Sequence, residues 1–313
     1  MKIELSIVVP VYNEEKNIPI LYERLKNAAN AITPHHELIF VNDGSKDTSF
    51  LELMKLAEQD KRVYYINFSR NFGHQIAVTA GLDYSKGEAV VIIDGDLQDP
   101  PELIPELYAK YKEGYEVVYA QRLKREGESW FKKTSAKWFY RILRKMTNIN
   151  IPVDTGDFRL IDRKVVECLK QMPEQNKFLR GQIAWIGFKQ TAVHFERKER
   201  IHGQTNYPFS KMLKLALDGI TSFSDKPLTV IARAGLFITL ISFLIILYAI
   251  FSHYVLDNTI SGWASLIISA LFMGGIQLIA IGVLGEYMSR INKNILNRPL
   301  YIVGKTNIED EKK

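Results

Sequence analysis

Two long stretches without Asp, Glu, Lys or Arg dominate the C-terminal third of this chain of 313 residues. They span residues 234–256 and 258–285, which are 23 and 28 residues long. A helix of about 20 apolar residues crosses the hydrocarbon core of a bilayer, which is roughly 30 Å thick. Helices of a soluble core rarely run so far without a charge. The pattern therefore predicts two transmembrane helices within residues 227–290, and the alternative is a buried helical hairpin.

The charges that flank these stretches predict how the chain is oriented. Asp257 lies in the connection at residues 253–262, which has no Lys or Arg, whereas the outer flanks contain Lys226, Arg233, Arg290, Lys293 and Arg298. Basic flanks stay on the cytoplasmic side. We therefore expect a two-span protein of the inner (plasma) membrane, with the domain of residues 1–226 and the tail of residues 291–313 in the cytoplasm. The lone Cys168 and the lack of a signal peptide fit that compartment.

Two further segments have the pattern of amphipathic helices. Residues 122–148 contain nine basic residues against two acidic ones, with aromatic and aliphatic residues at helical spacing over about 129–147. Such a helix lies on an anionic membrane surface, binds nucleic acid, or packs as an ordinary domain helix. The two predicted spans favour the membrane, so we expect no nucleic-acid partner. Residues 207–224 fit an interfacial helix and a domain-closing helix equally well.

The first hundred residues alternate short apolar segments with helical segments. Apolar strands are predicted at residues 5–11, 37–42, 63–68 and 89–94, with helices after the first three. This order predicts a parallel sheet wound with helices on both faces. Ligands of such sheets bind outside the carboxyl ends of the strands. The polar residues that follow those ends should meet at one edge: Asn13, Asp43, Arg70 and Asp94.

Asp94 ends the fourth predicted strand, and Asp96 follows it after one residue. Alternate residues of an extended chain point to the same side, so the two carboxylates would lie about 6–7 Å apart along the backbone. Carboxylates of this kind hold Mg²⁺ or Mn²⁺ together with the diphosphate of a nucleotide. The alternative for an Asp-x-Asp sequence alone is an ordinary turn at the end of a strand.

Five sequence motifs, in this order, resemble those of the GT-A family 2 glycosyltransferases. The likeness is strongest to the polyprenyl-phosphate branch, which contains dolichyl-phosphate mannose synthases and bactoprenol glucosyltransferases, and it runs from about Leu5 to Leu300. The motifs are VPVYNEE at residues 9–15, VNDGSKD at 41–47, SRNFG at 69–73, DGDLQDPP at 94–101 and GDFRL at 156–160. One departure is Asn206, where the family commonly has lysine.

The resemblance implies a GT-A (Rossmann-like) α/β domain that binds a nucleotide-sugar, with interfacial helices and then two transmembrane helices. It implies inverting transfer of a single sugar to polyprenyl (undecaprenyl) phosphate, using Mg²⁺ or Mn²⁺. Glucose from a UDP-sugar is expected, with N-acetylglucosamine or mannose as the alternative sugars. The nucleotide would contact Pro10, Tyr12, Glu14, Asp43 and Asp94. The metal would be held by Asp94 and Asp96, catalysis would involve Asp157, Asp96 and Gln98, and phosphates would contact Ser69, Arg70, Arg122 and Arg200.

Two roles are open for Asp157. A lipid monophosphate has a second pKa of about 6, so its oxygen is already mostly an anion near pH 7. Asp157 would therefore orient the acceptor or a sugar hydroxyl, or accept only the last proton of the monoanion. The metal and the arginines would then stabilise the leaving diphosphate. The structural alternative is a carboxylate that pairs with Arg159.

Two other functions compete with this interpretation. A processive polysaccharide synthase would carry Gln-x-x-Arg-Trp and more spans, whereas Gln182 is followed by Ile183, Ala184 and Trp185. A non-catalytic membrane scaffold that recruits a flippase or a second transferase would not need the acidic motifs. Trp185 and Phe188 are expected in the core, and the histidines lack the spacing of metal ligands. Small residues within 270–274 would allow close helix pairing and a homo-oligomer.

Overall fold

The computed structural model describes residues 2–123, 155–195, 224–255 and 262–309. In chain order the elements are β1 (Leu5–Val11), α1 (Ile18–Asn30), β2 (His36–Asn42), α2 (Ser49–Gln59), β3 (Val63–Phe68), α3 (His74–Tyr84), β4 (Ala89–Ile92), a 3₁₀ turn (Pro101–Leu103), α4 (Ile104–Lys112), β5 (Val117–Arg122), β6 (Thr155–Asp162), α5 (Arg163–Lys170), α6 (Leu179–Ile186), β7 (Gln190–Phe195), α7 (Lys226–Val255), α8 (Trp263–Leu296) and β8 (Val303–Thr306).

The strands of the described residues form one sheet in the order β7-β5-β6-β4-β1-β2-β3-β8. β4, β1, β2 and β3 are parallel, β6 is antiparallel to β4 and β5, and β8 is antiparallel to β3. The α/β fold predicted from the sequence is confirmed, and the antiparallel strands extend its parallel centre. The carboxyl ends of β1 to β4 share one edge. We term the loops at that edge, residues 12–17, 43–48, 69–73 and 93–100, the site rim.

Helices cover both faces of the sheet. Successive side chains of a strand point to opposite faces, so Ile7 and Val9 pack with α1, α2 and α4, whereas Val8 packs with α3, α5 and α6. Every residue of β1 and β2 is buried. Strands covered on both faces have such continuous burial. The loops of the site rim are therefore anchored on a closely packed base.

The chain after the second long helix returns to the sheet. β8 pairs with β3, and the ring of Tyr301 stacks on Phe68 with the ring centroids 5.2 Å apart. The side chain of Asn307 accepts a hydrogen bond from the Tyr65 N–H and donates one to the Val63 carbonyl oxygen. The sequence analysis assigned residues 291–313 to a tail. The structure instead continues α8 to Leu296 and gives residues 303–306 a place in the sheet.

α7 and α8 are two long apolar helices of 30 and 34 residues. Their most apolar parts are Lys226–Ile245 and Phe272–Leu296, with mean hydropathies of 2.2 and 1.3, and the rest of the chain leaves their apolar side chains largely exposed. At 1.5 Å per residue the helices are about 45 and 51 Å long, which exceeds the thickness of a hydrocarbon core. Two helices suited to cross a membrane, as predicted, are present.

Some predictions fall outside the described residues or differ from the structure. The helix at about 129–147, the helix at 207–224 apart from Ser224, and the loop with Arg200 and Asn206 lie outside the described residues. Trp185 was expected in the core but is 64% exposed, whereas Phe188 packs against the core as expected. Leu179 and Ile183 turn one face of α6 to the sheet, and Trp185 lies off that face.

Candidate active site

The loops of the site rim contain backbone conformations that are rare for most residues. The angle φ is positive at Asn13 (56°), Gly44 (64°), Gly73 (105°) and Leu97 (59°). Glycine adopts this region readily and asparagine tolerates it, but a branched residue such as leucine is strained there. Strain of this kind costs on the order of 1–3 kcal/mol and clusters at functional sites. The turn at Leu97 is therefore a sign that residues 94–98 are shaped for a ligand.

This turn presents oxygen atoms that lack partners. Oδ1 of Asp94 and Oε1 of Gln98 are buried and accept no hydrogen bond from the described residues. Oδ1 of Asp96 accepts a hydrogen bond of 3.1 Å from the Gln98 N–H, which fixes the turn. Burial, opposed by His74, raises the pKa of Asp94 to about 6. Mg²⁺ and Mn²⁺ prefer oxygen ligands, so the unpartnered oxygens of this turn fit the metal predicted from the sequence.

Asp157 lies on β6 opposite this turn and is surrounded by hydrogen-bond donors. Its Oδ1 accepts from Nε of Arg180 at 2.7 Å, and its Oδ2 lies 3.0 Å from both Nε2 of His74 and Nε2 of Gln75. Arg159, the partner considered from the sequence, is farther away at 3.9 Å. Burial alone would raise the pKa of Asp157, but Arg180 and His74 hold it well below its ordinary value. Asp157 is thus an ionised carboxylate whose oxygens are engaged.

A second group of ligand atoms consists of His74, Asp94 and Asp157, which lie within 4.8 Å of one another. A cation between them would have to displace the hydrogen bonds that His74 and Arg180 make to Asp157. It would also lie close to the positive charge of Arg180. A cation on the buried oxygens of Asp94 and Gln98 would leave the hydrogen bonds to Asp157 in place, although His74 lies 3.5 Å from Oδ1 of Asp94, so we regard the turn at residues 94–98 as the better metal site.

His74 is a residue of this site that the sequence analysis missed. Its Nε2 lies 3.0 Å from Asp157 and 3.5 Å from Asp94. Burial disfavours the charged ring, but the hydrogen bond to Asp157 and the charge of Asp94 outweigh this effect and raise the pKa of His74 to about 9. The available signal was position, because His74 immediately follows the SRNFG motif. Its contact with Asp157 joins residues 83 positions apart, which no local pattern reveals.

A small cavity of about 170 Å³ lies beside this cluster. It is lined by Pro10, Val11, Tyr12, Asp43, Asn71, Gly73, His74 and Ala77. Three residues predicted to bind the nucleotide, Pro10, Tyr12 and Asp43, therefore share one pocket. A larger cavity of about 750 Å³ lies at the opposite end of the sheet, next to Glu37 and Lys86, and is lined by none of the predicted site residues.

Asp43 also holds the loop that carries His74. Its carboxylate accepts hydrogen bonds from the backbone N–H groups of Phe72 and Gly73. Burial raises the pKa of Asp43 even though these N–H groups act to lower it. Glu14 does not line the cavity. It lies at the start of α1, where its backbone N–H donates to Ser49 and its carboxylate accepts from Asn17.

The predicted phosphate-binding residues are distributed over the rim. Arg122 lies next to Gly156, where an added Cβ would be 3.3 Å from its Nη2. Its Nε is buried without a partner among the described residues, and its Nη2 lies 3.5 Å from Asp99. Ser69 and Arg70 lie farther along the rim. The Ser69 N–H donates to the Ile302 carbonyl oxygen, and the guanidinium of Arg70 lies 4.1 Å from the ring centre of Phe72.

The fold and the acidic rim are those of a glycosyltransferase, and the chain belongs to glycosyl transferase family 2. The model of that family, described as "Glycosyl transferase family 2", matches residues 6–170. This range contains the turn at residues 94–98, Asp157 and all residues that line the small cavity.

Among proteins similar to this chain is the uncharacterized glycosyltransferase YkcC of Bacillus subtilis, which is 55% identical over 97% of this chain and 94% of its own length. The SfII prophage-derived bactoprenol glucosyl transferase of Shigella flexneri is 43% identical over 97% of this chain and 98% of its own length. A solved structure of glucosyl-3-phosphoglycerate synthase from Mycobacterium tuberculosis, in complex with Mn²⁺, uridine diphosphate and phosphoglyceric acid, covers 70% of this chain and 76% of that one. Its TM-score is 0.48 and its sequence identity is 18%.

Proposed function

We propose that this glycosyltransferase transfers a single glucose, with inversion, from UDP-glucose to polyprenyl phosphate at the cytoplasmic face of the inner membrane. The product would be a polyprenyl-monophosphate sugar for modification of cell-envelope glycans. One structural observation carries the proposal. β8 begins at the site rim, where Val303 pairs with Phe68, and only residues 297–302 separate it from the end of α8. The apolar hairpin is thus tied to the edge of the sheet that carries the acids.

The bactoprenol glucosyl transferase name of a relative aligned over nearly its whole length supports glucose as the sugar and a polyprenyl phosphate as the acceptor. The attachment of both ends of the hairpin to one domain supports the orientation predicted from the basic flanks. The hydroxyl of Tyr287 on α8 donates to the Ser224 carbonyl oxygen just before α7, so the two entry points lie together. A hairpin that crosses the membrane twice returns the chain to the side on which it started. The site rim and β8 would therefore lie on the same side of the membrane.

The residues of the rim suggest how each group would act. The nucleotide would occupy the cavity with Pro10, Tyr12 and Asp43. Asp94, Asp96 and Gln98 would hold Mg²⁺ or Mn²⁺, which when bound neutralises charge on a leaving diphosphate. Arg122 would lie beside the reacting phosphates. Asp157 would orient its neighbours, because its oxygens are already engaged by three side chains.

The test uses membranes that contain the full chain, polyprenyl phosphate and a panel of labelled donors: UDP-glucose, UDP-N-acetylglucosamine and GDP-mannose. We expect label from UDP-glucose in the lipid extract and none with an Asp96→Asn variant. The surface variant Glu167→Gln on α5 serves as a control with unchanged activity. Labelling from another donor would refute glucose as the sugar. The absence of lipid-linked label with every donor would favour the non-catalytic scaffold.

A further inference from the structure

His74 lies at the junction between the small cavity and the acidic cluster. It lines the cavity together with Pro10 and Asp43, and on its other side it contacts Asp157. Its position is fixed by the preceding loop, whose N–H groups at Phe72 and Gly73 are bound by Asp43. A residue in this place touches both the pocket for the donor and the carboxylate of the reaction.

The two nitrogen atoms of the His74 ring have different surroundings. Nε2 faces Asp157 at 3.0 Å and Asp94 at 3.5 Å. Nδ1 makes no hydrogen bond to any residue that the structure describes, and 42% of the side chain is exposed. The ring is therefore oriented by its Nε2 edge, and its other edge remains available to a ligand.

The group within reach of that edge follows from the proposed function, on which this inference rests. A nucleotide in the cavity and a cation on Asp94 and Asp96 would place the diphosphate between them. Nε2 of His74 is 3.5 Å from Asp94 and His74 also lines the cavity, so the ring lies between the places proposed for the cation and the nucleotide, and its Nδ1 edge is the one left for the diphosphate. His74 is also the first residue of α3, and the N-terminal end of a helix favours negative charge.

We propose that His74 binds the sugar donor directly, with its Nδ1 edge against an oxygen of the β-phosphate while Nε2 keeps Asp157 in place. This contact would recognise a nucleoside diphosphate over a nucleoside monophosphate. It would also follow the β-phosphate as that group departs, which links the leaving group to the position of Asp157.

Two substitutions separate the two edges of the ring. The amide of glutamine reaches the position of Nε2, so His74→Gln retains the contact with Asp157 and loses the one with the phosphate. The shorter amide of asparagine occupies the position of Nδ1, so His74→Asn does the reverse. His35→Asn is the matched control, because His35 lies at the opposite end of the sheet, where its carbonyl oxygen accepts from the Glu4 N–H.

The measurement is the Kd of the full-length protein in detergent for UDP and for UMP, at one fixed Mn²⁺ concentration. Loss of one charge-assisted hydrogen bond corresponds to about a tenfold or greater change in affinity. We expect His74→Gln to weaken UDP binding about tenfold and to leave UMP binding within about twofold of the wild type. Retained UMP binding shows that the variant is folded. His74→Asn should keep most of the preference for UDP, and His35→Asn should match the wild type.

Three results would overturn the inference: an unchanged ratio of UDP to UMP affinity in His74→Gln, an equal loss for both nucleotides, or the same loss of preference in His74→Asn. The proposed function fails separately. If the wild type forms no lipid-linked sugar, the function is wrong whatever the binding ratios. If the wild type forms that product and the ratio does not respond to His74→Gln, only the role of His74 is wrong.

Discussion

Nε of Arg180 lies 2.7 Å from Oδ1 of Asp157, which makes an arginine of α6 the closest cationic partner of the carboxylate predicted for catalysis. The same α6 N-terminus is held by Gln75, whose Oε1 accepts from the Leu179 N–H while its Nε2 donates to Asp157. Asp157 thus binds α3 and α6 together at the site rim. A carboxylate used in this way is suited to positioning its neighbours rather than to accepting a proton.

This arrangement predicts the pH dependence of an Asp157→Asn variant. The partners of Asp157 hold its pKa well below the ordinary value, so it stays ionised across the neutral range and an acceptor phosphate is already an anion there. We expect kcat to fall by about a hundredfold or more, equally at pH 7 and pH 8.5, since an electrostatic contact is lost. Initial rates of lipid-linked glucose formation at each pH are the measurement, with Glu167→Gln as control. Recovery of the rate at high pH would instead identify Asp157 as a general base.

Gly44 packs against the backbone of the loop that carries Arg70, so a side chain at residue 44 is predicted to destabilise the fold. A Cβ at Gly44 would lie 2.5 Å from the carbonyl carbon of Arg70, and φ there is 64°. Gly114 is a matched control, with φ of 93° and no atom within 4 Å of an added Cβ. We expect Gly114→Ala to cost about 1 kcal/mol of stability and Gly44→Ala to cost roughly 1–3 kcal/mol more, because it adds a backbone clash to the strain. Thermal unfolding of the full chain in detergent measures this, and equal Tm values for the two variants would contradict the close approach.

Asn307 predicts how firmly the C-terminal segment is attached. Its side chain hydrogen-bonds to the backbone of Tyr65 and of Val63 on β3, at 2.7 Å and 3.0 Å. Loss of both bonds in Asn307→Ala should destabilise this attachment by roughly 1–3 kcal/mol. We expect faster proteolysis near residues 297–309 in the variant, followed by mass spectrometry. Asn27→Ala on the exposed side of α1 should behave like the wild type, and no difference between the two variants would rule out the attachment.

His36 predicts a loss of stability in mild acid. It is buried on β2, Nδ1 bonds to the Thr33 carbonyl oxygen, and burial lowers its pKa below the ordinary value of about 6.5. Below about pH 6.5 the unfolded chain therefore binds a proton that the folded chain does not, so stability decreases as the pH falls through this window.

The measurement is the change in Tm between pH 7 and pH 5. We expect His36→Leu to have a lower Tm at pH 7, because the bond to Thr33 is lost, but a smaller decline toward pH 5 than the wild type. His35→Gln should retain the decline of the wild type. Parallel declines in all three proteins would show that His36 is not the group responsible.

The centre of the fold was predictable because its signals are local. Residues 5–11 were predicted as a strand and form β1, and the helix expected after the second strand is α2. Short apolar segments that alternate with helices predict such a sheet from the local sequence alone, without information about the rest of the chain. β8 was not predictable, since four residues that include Gly304 and Lys305 have no strand pattern of their own and depend on the edge of β3.

Part of the candidate site was predicted, because some of its residues belong to a local sequence motif. Asp94 and Asp96 belong to a contiguous motif at the end of a strand, so their place on the rim followed from the order of elements. His74 and Arg180 reach Asp157 from positions 83 and 23 residues away. Such contacts arise only when α3 and α6 pack on the sheet, and no local sequence pattern near either residue predicts them.

The strand that closes the outer edge of the sheet is made only after both apolar helices have been synthesised. Until then the edge of β3 has no partner, although the rest of the domain has long been synthesised. Both apolar helices therefore leave the ribosome before that partner exists. The sheet is completed only after the segment suited to cross a membrane has been made.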